Sequence, residues 1–434
     1  MHKRAFQKTI GVVILQKKSL NLIKPDYKWV IAFLCTLVLS VGLGFCSSAK
    51  NIYIVPITSA FGFSRSAFTV NDSLRYITVA IATMFFSNLV EKFGTKKLML
   101  IGMICYILFA LVNAFASTLP GFYLGGILLG LAAAWSSTTM VSIIVNKWFS
   151  KNIGTILGII LASNAVGSAI CIFISTPLIY ENGNPFGYRN AYLLTAAILV
   201  VVTIIFMIFY KEKSSPAFSS AKPESNTKKE LNQQQGFEFD VLLKCPEFYI
   251  IIISLLLSAL TSVTFVPALL TDIGFDPSFV AAALSLLSIG LAVCKPLIGI
   301  FYDHFGIKAA INICLLAGLV SKLLLFIITV SPIGKTLTII HCLLNALATP
   351  LETVMISILA LDLFGEKCFD KTLAVANSLF AVGHALNPPL LNLSYDIANN
   401  YTFSIVFATI VSVITIVLMN FSIISLKRKN KELN

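Results

Sequence analysis

Four positively charged side chains interrupt long apolar stretches of this sequence: Lys50, Arg75, Lys295 and Lys322. One carboxylate, Glu352, reads as the only acid well inside such a stretch. Ionisable groups in hydrocarbon are costly and face the protein interior or a water-filled cavity. A buried cation at a cavity is a natural receptor for a carboxylate, through short charge-assisted hydrogen bonds. Lys295 lies eight residues before Asp303, or about 12 Å along a helix from the adjoining loop at 1.5 Å per residue. It either meets a solute there or snorkels to the interface. Glu352 has two readings as well: it carries a coupling proton, or it pairs with Lys322 on the preceding helix. Asp72 and Arg75 share a face early in their helix and, like His341, read as local hydrogen-bonding groups. Tyr53, Tyr76, Phe265 and Phe380 suit packing better than recognition; Tyr53, Phe380 and His384 are kept as candidate substrate contacts.

Other chemistries find no support. There is no nucleophile–base constellation, phosphate-binding loop or metal-ligand cluster, and the soluble loops are too short for a catalytic domain. No enzymatic activity, cofactor or metal is therefore expected. The nine cysteines lie in apolar runs or near one face, none in an outer loop and none spaced C-x-x-C. They read as free thiols.

The elements that must hold these charges are membrane helices. The chain has 434 residues, 57% hydrophobic and only 12% charged, where a soluble domain carries roughly 25% charged residues. Runs such as Trp29–Cys46, Leu98–Ala116 and Thr402–Ile424 are long enough to cross about 30 Å of hydrocarbon. They must be helical, because lipid offers no partner to backbone polar groups. Twelve spans are expected near 29–49, 67–89, 98–117, 121–145, 153–178, 190–210, 247–270, 278–301, 309–330, 336–362, 372–393 and 402–425. The first span is too long for a signal peptide and reads as a retained anchor.

The net charge of +13 is explained by its placement. With the N-terminus inside, 25 Lys/Arg fall in cytoplasmic segments and three (Arg65, Arg189, Lys335) in outer loops. That asymmetry follows the positive-inside rule and predicts that both termini are cytoplasmic. Nucleic acid is not an expected partner. The stretch KEKSSPAFSSAKPESNTKKELNQQQG, beginning at Lys211, reads as a flexible linker. The expected organisation is a basic N-terminal segment (1–28), a six-helix bundle (29–210), a cytoplasmic linker (211–245), a second bundle (246–426) and a tail (427–434).

A local repeat supports this division. SNLVEKFGTKK (Ser87–Lys97) follows the second span and GIFYDHFGIK (Gly299–Lys308) follows the eighth. This resembles the G-x-x-x-D-x-x-G-x-[RK] motif of the major facilitator superfamily. The second copy matches through Gly299, Asp303, Gly306 and Lys308. The first keeps Gly94 and Lys96 but has Ser87 for glycine and Glu91 for aspartate. The motif's logic is a gate: glycines allow close helix contact and a tight turn, and the carboxylate accepts from the N-terminal amides of a neighbouring helix. The resemblance implies an all-α membrane protein of twelve transmembrane helices in two six-helix bundles, rocking about a central cavity lined by helices 1, 4, 7 and 10.

Three stretches resemble the monocarboxylate and oxalate/formate branch: Val145–Ile170, Val266–Gly299, and Asn387-Pro388-Pro389 with Tyr395-Asp396. By that resemblance Lys295, preceding Pro296, stands where the branch has its substrate-binding cation, and Lys50 stands at its helix 1 lysine. Lys50 would lie about 30 Å along a helix starting at Trp29, well displaced in depth from Lys295; an interface lysine is its other reading. The branch's helix 8 carboxylate is replaced by Leu291, and its second helix 11 cation falls near Phe380 and His384. The helix 4 arginine of some proton-driven relatives is Gly126, before Gly130. A singly charged carboxylate is thus expected over a doubly charged one, moved by proton symport or anion exchange by a monomer in the plasma membrane. Drug or small-solute efflux within the superfamily is the alternative, and a receptor or channel the reading from another class. Lys outnumbers Arg 27 to 5, the bias of an AT-rich bacterial genome.

Overall fold

The computed structural model describes residues 27–136, 138–149, 153–180, 183–212, 239–365 and 368–433. Residues 1–26 of the expected basic segment (1–28) and most of the expected linker lie outside them. The described chain is all-helical. Helix α1 runs Tyr27–Phe61 and α2 Arg65–Met84. The helix Phe86–Phe115 breaks at Gly94, leaving 95–115 as α3. Then come α4 (Leu119–Trp135, resumed as Thr138–Trp148), α5 (Ile153–Ile179) and α6 (Gly187–Phe209). Helix α7 is split into Pro246–Leu260 and Val266–Ile273. The segment Pro277–Leu324 reverses at Gly306, giving α8 (277–305) and α9 (307–324). Helix α10 runs from Pro332 to Phe364 with a break near Glu352, α11 is Phe369–Ala398 and α12 Thr402–Leu433.

Seven described helices are long and apolar enough to cross a membrane by themselves, eight if the pair bent by 44° at Glu352 is one span. The other crossings are the second leg at Gly306, the split α7, and α2 and α11, whose polar residues face protein. Twelve crossings put the start of α1, the end of α12 and the turns at Gly94 and Gly306 on one face, the termini face.

Those two glycines carry the internal repeat in their backbone. Gly94 has φ 78° and ψ 165°, and Gly306 has φ 77° and ψ 173°. Only glycine adopts this region without strain. The paired motifs therefore build the same sharp reversal in each half.

The halves share an apolar core at one face only. A single apolar core takes in the first half together with Phe265, Val266, Leu270, Phe275, Val280, Leu284, Leu391 and Tyr401, all from the far ends of α7, α8, α11 and α12. The termini-face ends of the second half form a separate core around Phe248, Ile307, Ile311, Met355, Phe364 and Leu426, with no residue of the first half. Across the middle, Ser285 and Ser288 of α8 donate to Ala169 O (3.1 Å) and Ser168 Oγ (3.3 Å) of α5. Ser73 of α2 donates to Ala385 O of α11. The far face is closed, and the halves part towards the termini face.

Helix α1 is irregular where it matters. Leu39–Ser48 winds as a π-helix and Lys50–Tyr53 as a 3-10 turn. The overwound and underwound turns re-aim side chains relative to a straight helix, a device common at functional sites. The irregular segment lies tightly on α5: a Cβ on Gly167 would stand 2.0 Å from Ser40 O.

Candidate functional site

The structure brings Lys50 to Asp72 and Arg75. Lys50 Nζ pairs with Asp72 Oδ1 and donates to Asn71 Oδ1 at 3.2 Å. Arg75 Nε lies 3.0 Å from the same Asp72 oxygen, and Arg75 also donates to Ser47 Oγ. Helix α2 starts at Arg65, so Asp72 sits two turns inside and is 5% exposed. The expectation that Glu352 is the only carboxylate well inside a span is therefore corrected: Asp72 is a second. The i, i+3 spacing of Asp72 and Arg75 in an apolar stretch was the available signal. Their union with Lys50 needed the irregular turn of α1.

The neighbouring helix leaves space for this triad to form on α2. A Cβ on Gly126 would meet Asn71 O at 2.2 Å, and one on Gly130 would meet Arg75 O at 2.7 Å. Helix α4 thus packs its glycines on the α2 backbone where some proton-driven relatives carry an arginine.

An aromatic bridge leads from the triad to the second half. The Arg75 guanidinium lies 4.1 Å from the Tyr76 ring centroid. Tyr76 stacks on His384 of α11 with centroids 5.1 Å apart and planes at 11°. Phe380 meets His384 edge-on at 4.6 Å. His384 Nε2 is 3.7 Å from Glu352 Oε2. Beyond Glu352 is a polar cavity of ≈ 40 Å³, lined by Glu352, Lys322, Thr261, Ser262, Asn345 and Ser412 among others. Lys322 Nζ donates to Ser412 Oγ at 2.6 Å and to Thr261 Oγ1 at 3.3 Å. Lys322 and Glu352 face one cavity, but among the described residues their charged atoms make no ion pair; Glu352 is instead held by Ser262 and faces His384. The cavity has room for more than one water, and hydroxyls to hold it.

Several expected site residues fall elsewhere. Tyr53 is a core residue, 2% exposed and stacked on Tyr192 at 4.2 Å, so it does not face the pathway. Its ring stays with the first half's packing because the turn that brings Lys50 to α2 directs Tyr53 to α6. Lys295 is partly buried, and no described residue partners it. Asp72 is seven residues into α2 and Lys295 eighteen into α8 from the far face, about 16 Å apart in depth. The two lysines are not brought together.

The motif carboxylates also differ from expectation. Glu91 and Asp303 are exposed and accept no hydrogen bond from a described helix N-terminus, and a Cβ on Gly299 would meet nothing within 4 Å. Lys96 is half-buried and Lys308 exposed. The reason is the parting of the halves at this face, which withdraws the neighbouring helix. The α3 terminus is instead capped by Glu212, past α6, whose Oε1 accepts from Thr95 N (2.7 Å) and Thr95 Oγ1 (2.9 Å).

A carboxylate does cap a helix of the opposite half, but at the far face. Asp396 of α11 accepts from the amides of Arg65 (2.7 Å) and Ser66 (2.9 Å) at the start of α2. The Arg65 guanidinium forms a two-pronged pair with Asp272 of α7, one arm at 2.7 Å. It also donates to Tyr401 Oη at 2.9 Å and lies 3.6 Å from the Tyr395 ring centroid. Asn387, fully buried, donates to Leu260 O (2.6 Å) and Ser262 O (2.8 Å), satisfying carbonyls freed by the break in α7. The sequence reading took Arg65 as an outer-loop cation and did not see this latch; nothing near in sequence marks its partners.

Ionisable groups held at mid-span between two helical halves, joined at one face and parted at the other, define a membrane transporter of the alternating-access type. Residues 29–262 and 248–434 match the family model of the Major Facilitator Superfamily, and the chain belongs to that superfamily. It is a non-enzymatic transporter. It is 24% identical over 398 residues to "Multidrug resistance protein 2" of Bacillus subtilis (strain 168), covering 89% of this chain and 93% of that one. It is also 24% identical to the uncharacterized MFS-type transporter YcxA of the same strain, over 43% of this chain and 44% of that protein. Among solved structures, the nucleoside transporter NupG matches with TM-score 0.70 at 15% identity, covering 91% of this chain and 99% of that one. A D-xylose-proton symporter matches with TM-score 0.70 at 12% identity, over 91% and 97%. These likenesses carry the fold and the superfamily, and leave the substrate to be argued from the site.

Proposed function

We propose that this protein moves a small organic anion, a monocarboxylate, across the membrane by proton symport or anion exchange. One observation carries the reading: four mid-span cations, Lys50, Arg75, Lys295 and Lys322, face only two mid-span carboxylates, Asp72 and Glu352. Uncompensated charge in a span is costly unless a ligand or water answers it. An anionic substrate supplies what the helices omit. Lys50, Arg75 and Lys295 are its receptors at successive depths; His384 and Phe380 flank the route between the halves. Glu352 and Lys322 stand behind that surface, as a proton-carrying group or an internal charge pair.

The charge asymmetry of the loops supports a bacterial plasma membrane with both termini cytoplasmic. The closed far face is then the outer one, and the described state opens to the cytoplasm. The chain acts as a monomer, with substrate, protons and lipid as its partners.

A second reading has its own support. An apolar groove of ≈ 450 Å³, lined by Ile81, Phe85, Leu89, Leu131 and Trp135, lies between the termini-face ends of α2 and α4. It suits amphipathic molecules, as does the relative whose name describes multidrug resistance. The discriminating experiment is uptake of radiolabelled organic acids and of lipophilic cationic dyes into proteoliposomes, with Lys295→Gln alongside. The anion reading expects acid flux that falls at least tenfold in the variant. Dye flux without acid flux would establish the efflux reading, and undiminished acid flux in Lys295→Gln would remove that residue from the pathway.

A further inference from the structure

We propose that Asp72 is an internal stand-in for the substrate carboxylate on Lys50 and Arg75, and that it takes up a proton when the anion replaces it. This rests on the organic-anion reading above and adds to it the group that couples flux to protons.

The geometry is that of an occupied receptor. Lys50 from α1 and Arg75 from α2 converge on one oxygen of Asp72, the arrangement an incoming carboxylate would need. All three side chains are close to fully buried, with relative exposures of 12%, 11% and 7% for Lys50, Arg75 and Asp72. Two ionised carboxylates cannot share such a site cheaply. An anion therefore binds only as Asp72 releases the cations, and a proton on Asp72 is the smallest change that releases them. The charges then balance. Lys50 and Arg75 face one carboxylate before binding (Asp72) and one after (the substrate), while the proton rests on Asp72. At the opposite face anion and proton leave together, and Asp72 reclaims its cations. One proton accompanies one carboxylate, and exchange of one anion for another needs no proton.

The surroundings favour Asp72 over Glu352 for this role. Asp72 pairs directly with both cations, whereas Glu352 is held by the Ser262 hydroxyl, lies 3.7 Å from His384 and faces Lys322 across a cavity. The titratable and charged groups around Asp72 are Lys50 on α1, Arg75 and Tyr76 on α2, Tyr106 on α3, Tyr192 on α6 and His384 on α11. Helix α4 presents the glycines Gly126 and Gly130 here. Among the described residues, no second carboxylate pairs with Lys50 or Arg75. A small cavity of ≈ 20 Å³ beside Lys50, Asn71 and Asp72 gives the carboxyl somewhere to move.

The test uses purified full-length protein in proteoliposomes with radiolabelled lactate, acetate and formate. Two activities are compared: accumulation driven by an imposed proton gradient, and exchange of labelled for unlabelled anion without one. Asp72→Asn should lose gradient-driven accumulation by at least tenfold and lower the half-saturating anion concentration of the exchange that persists. Loss of both activities in a protein that melts like wild type would overturn the proposal, as would retained accumulation. If Asp72→Asn does not fold, Asp72→Glu provides the test. It should shift the pH at which accumulation is half-maximal; no shift overturns the proposal. Wild-type protein that carries none of the acids would instead overturn the organic-anion reading itself.

Discussion

The two halves make the same turn at the termini face and treat buried charge in opposite ways. In the first half, Lys50, Asp72 and Arg75 bond to one another directly, on two helices held by glycine contacts. In the second, Lys322 and Glu352 sit across a polar cavity, each leaning on neutral or weakly basic neighbours: Ser412 and Thr261 for the lysine, His384 for the glutamate. A direct triad is a stiff lock that opens only if a competitor or a proton arrives. A cavity-spaced pair can be adjusted by water at little cost. The contrast suggests that the first half holds the locked part of the receptor, while the second adds Lys295 and supports the stack of Tyr76 on His384 through which the halves meet.

The sharpest way to break that contrast is to neutralise one cation on each side. Arg75→Gln leaves Asp72 with half its partners in a buried site, a change worth several kcal/mol when a buried pair is broken. Anion exchange is expected to fall more than a hundredfold. Lys322→Met removes a lysine bonded only to hydroxyls and should keep exchange within about tenfold. Equal losses in folded proteins would show that the two clusters act as one unit.

A second comparison sets the closed face against the parted one. Arg65→Met removes a guanidinium that ties α2 to α7 and α12, and Asp272 is about a quarter exposed. With that exposure the loss should be below the 3–5 kcal/mol typical of broken buried pairs, on the order of 2 kcal/mol. The protein should then spend more time open at the far face. A cysteine at Thr271 should react faster with a membrane-impermeant reagent applied to that face, by about tenfold or more. An unchanged rate would mean that apolar packing alone seals the face.

The smallest effect separates the two turns. Gly94→Ala and Gly306→Ala each force alanine to a positive φ, at about 1–2 kcal/mol. At Gly94 the new Cβ also meets Glu212 Oε1 at 2.8 Å, whereas at Gly306 it meets nothing. Gly94→Ala should therefore lower the melting temperature in detergent by a few degrees more than Gly306→Ala. The reverse order would remove Glu212 as the cap of α3.

Much of the architecture was legible because it follows from short-range rules. Trp29–Cys46 and Thr402–Ile424 must be helices in lipid whatever surrounds them, and the resemblance of the repeated motif implied turns at Gly94 and Gly306. The site was legible only in its parts. Lys50 and Glu352 were picked out as costly groups in spans, and His384 through the resemblance, beside Phe380. That Tyr53 stacks on Tyr192 was not legible, because its sequence position says nothing of which way a 3-10 turn will point it. Glu91 and Asp303 were expected to accept from a neighbouring helix, and among the described residues no helix N-terminus donates to them.

The sequence alone determined where the chain crosses the membrane, where it reverses and which residues carry charge into the spans. Those properties depend on hydrogen bonding and solvation of contiguous segments. Tertiary structure alone decided which charges answer each other: Lys50 with Asp72, Arg65 with Asp272 two hundred residues away, and Tyr76 with His384 across the halves. Such pairings depend on where helices from distant parts of the chain pack and how π and 3-10 turns rotate them, and no local pattern encodes that.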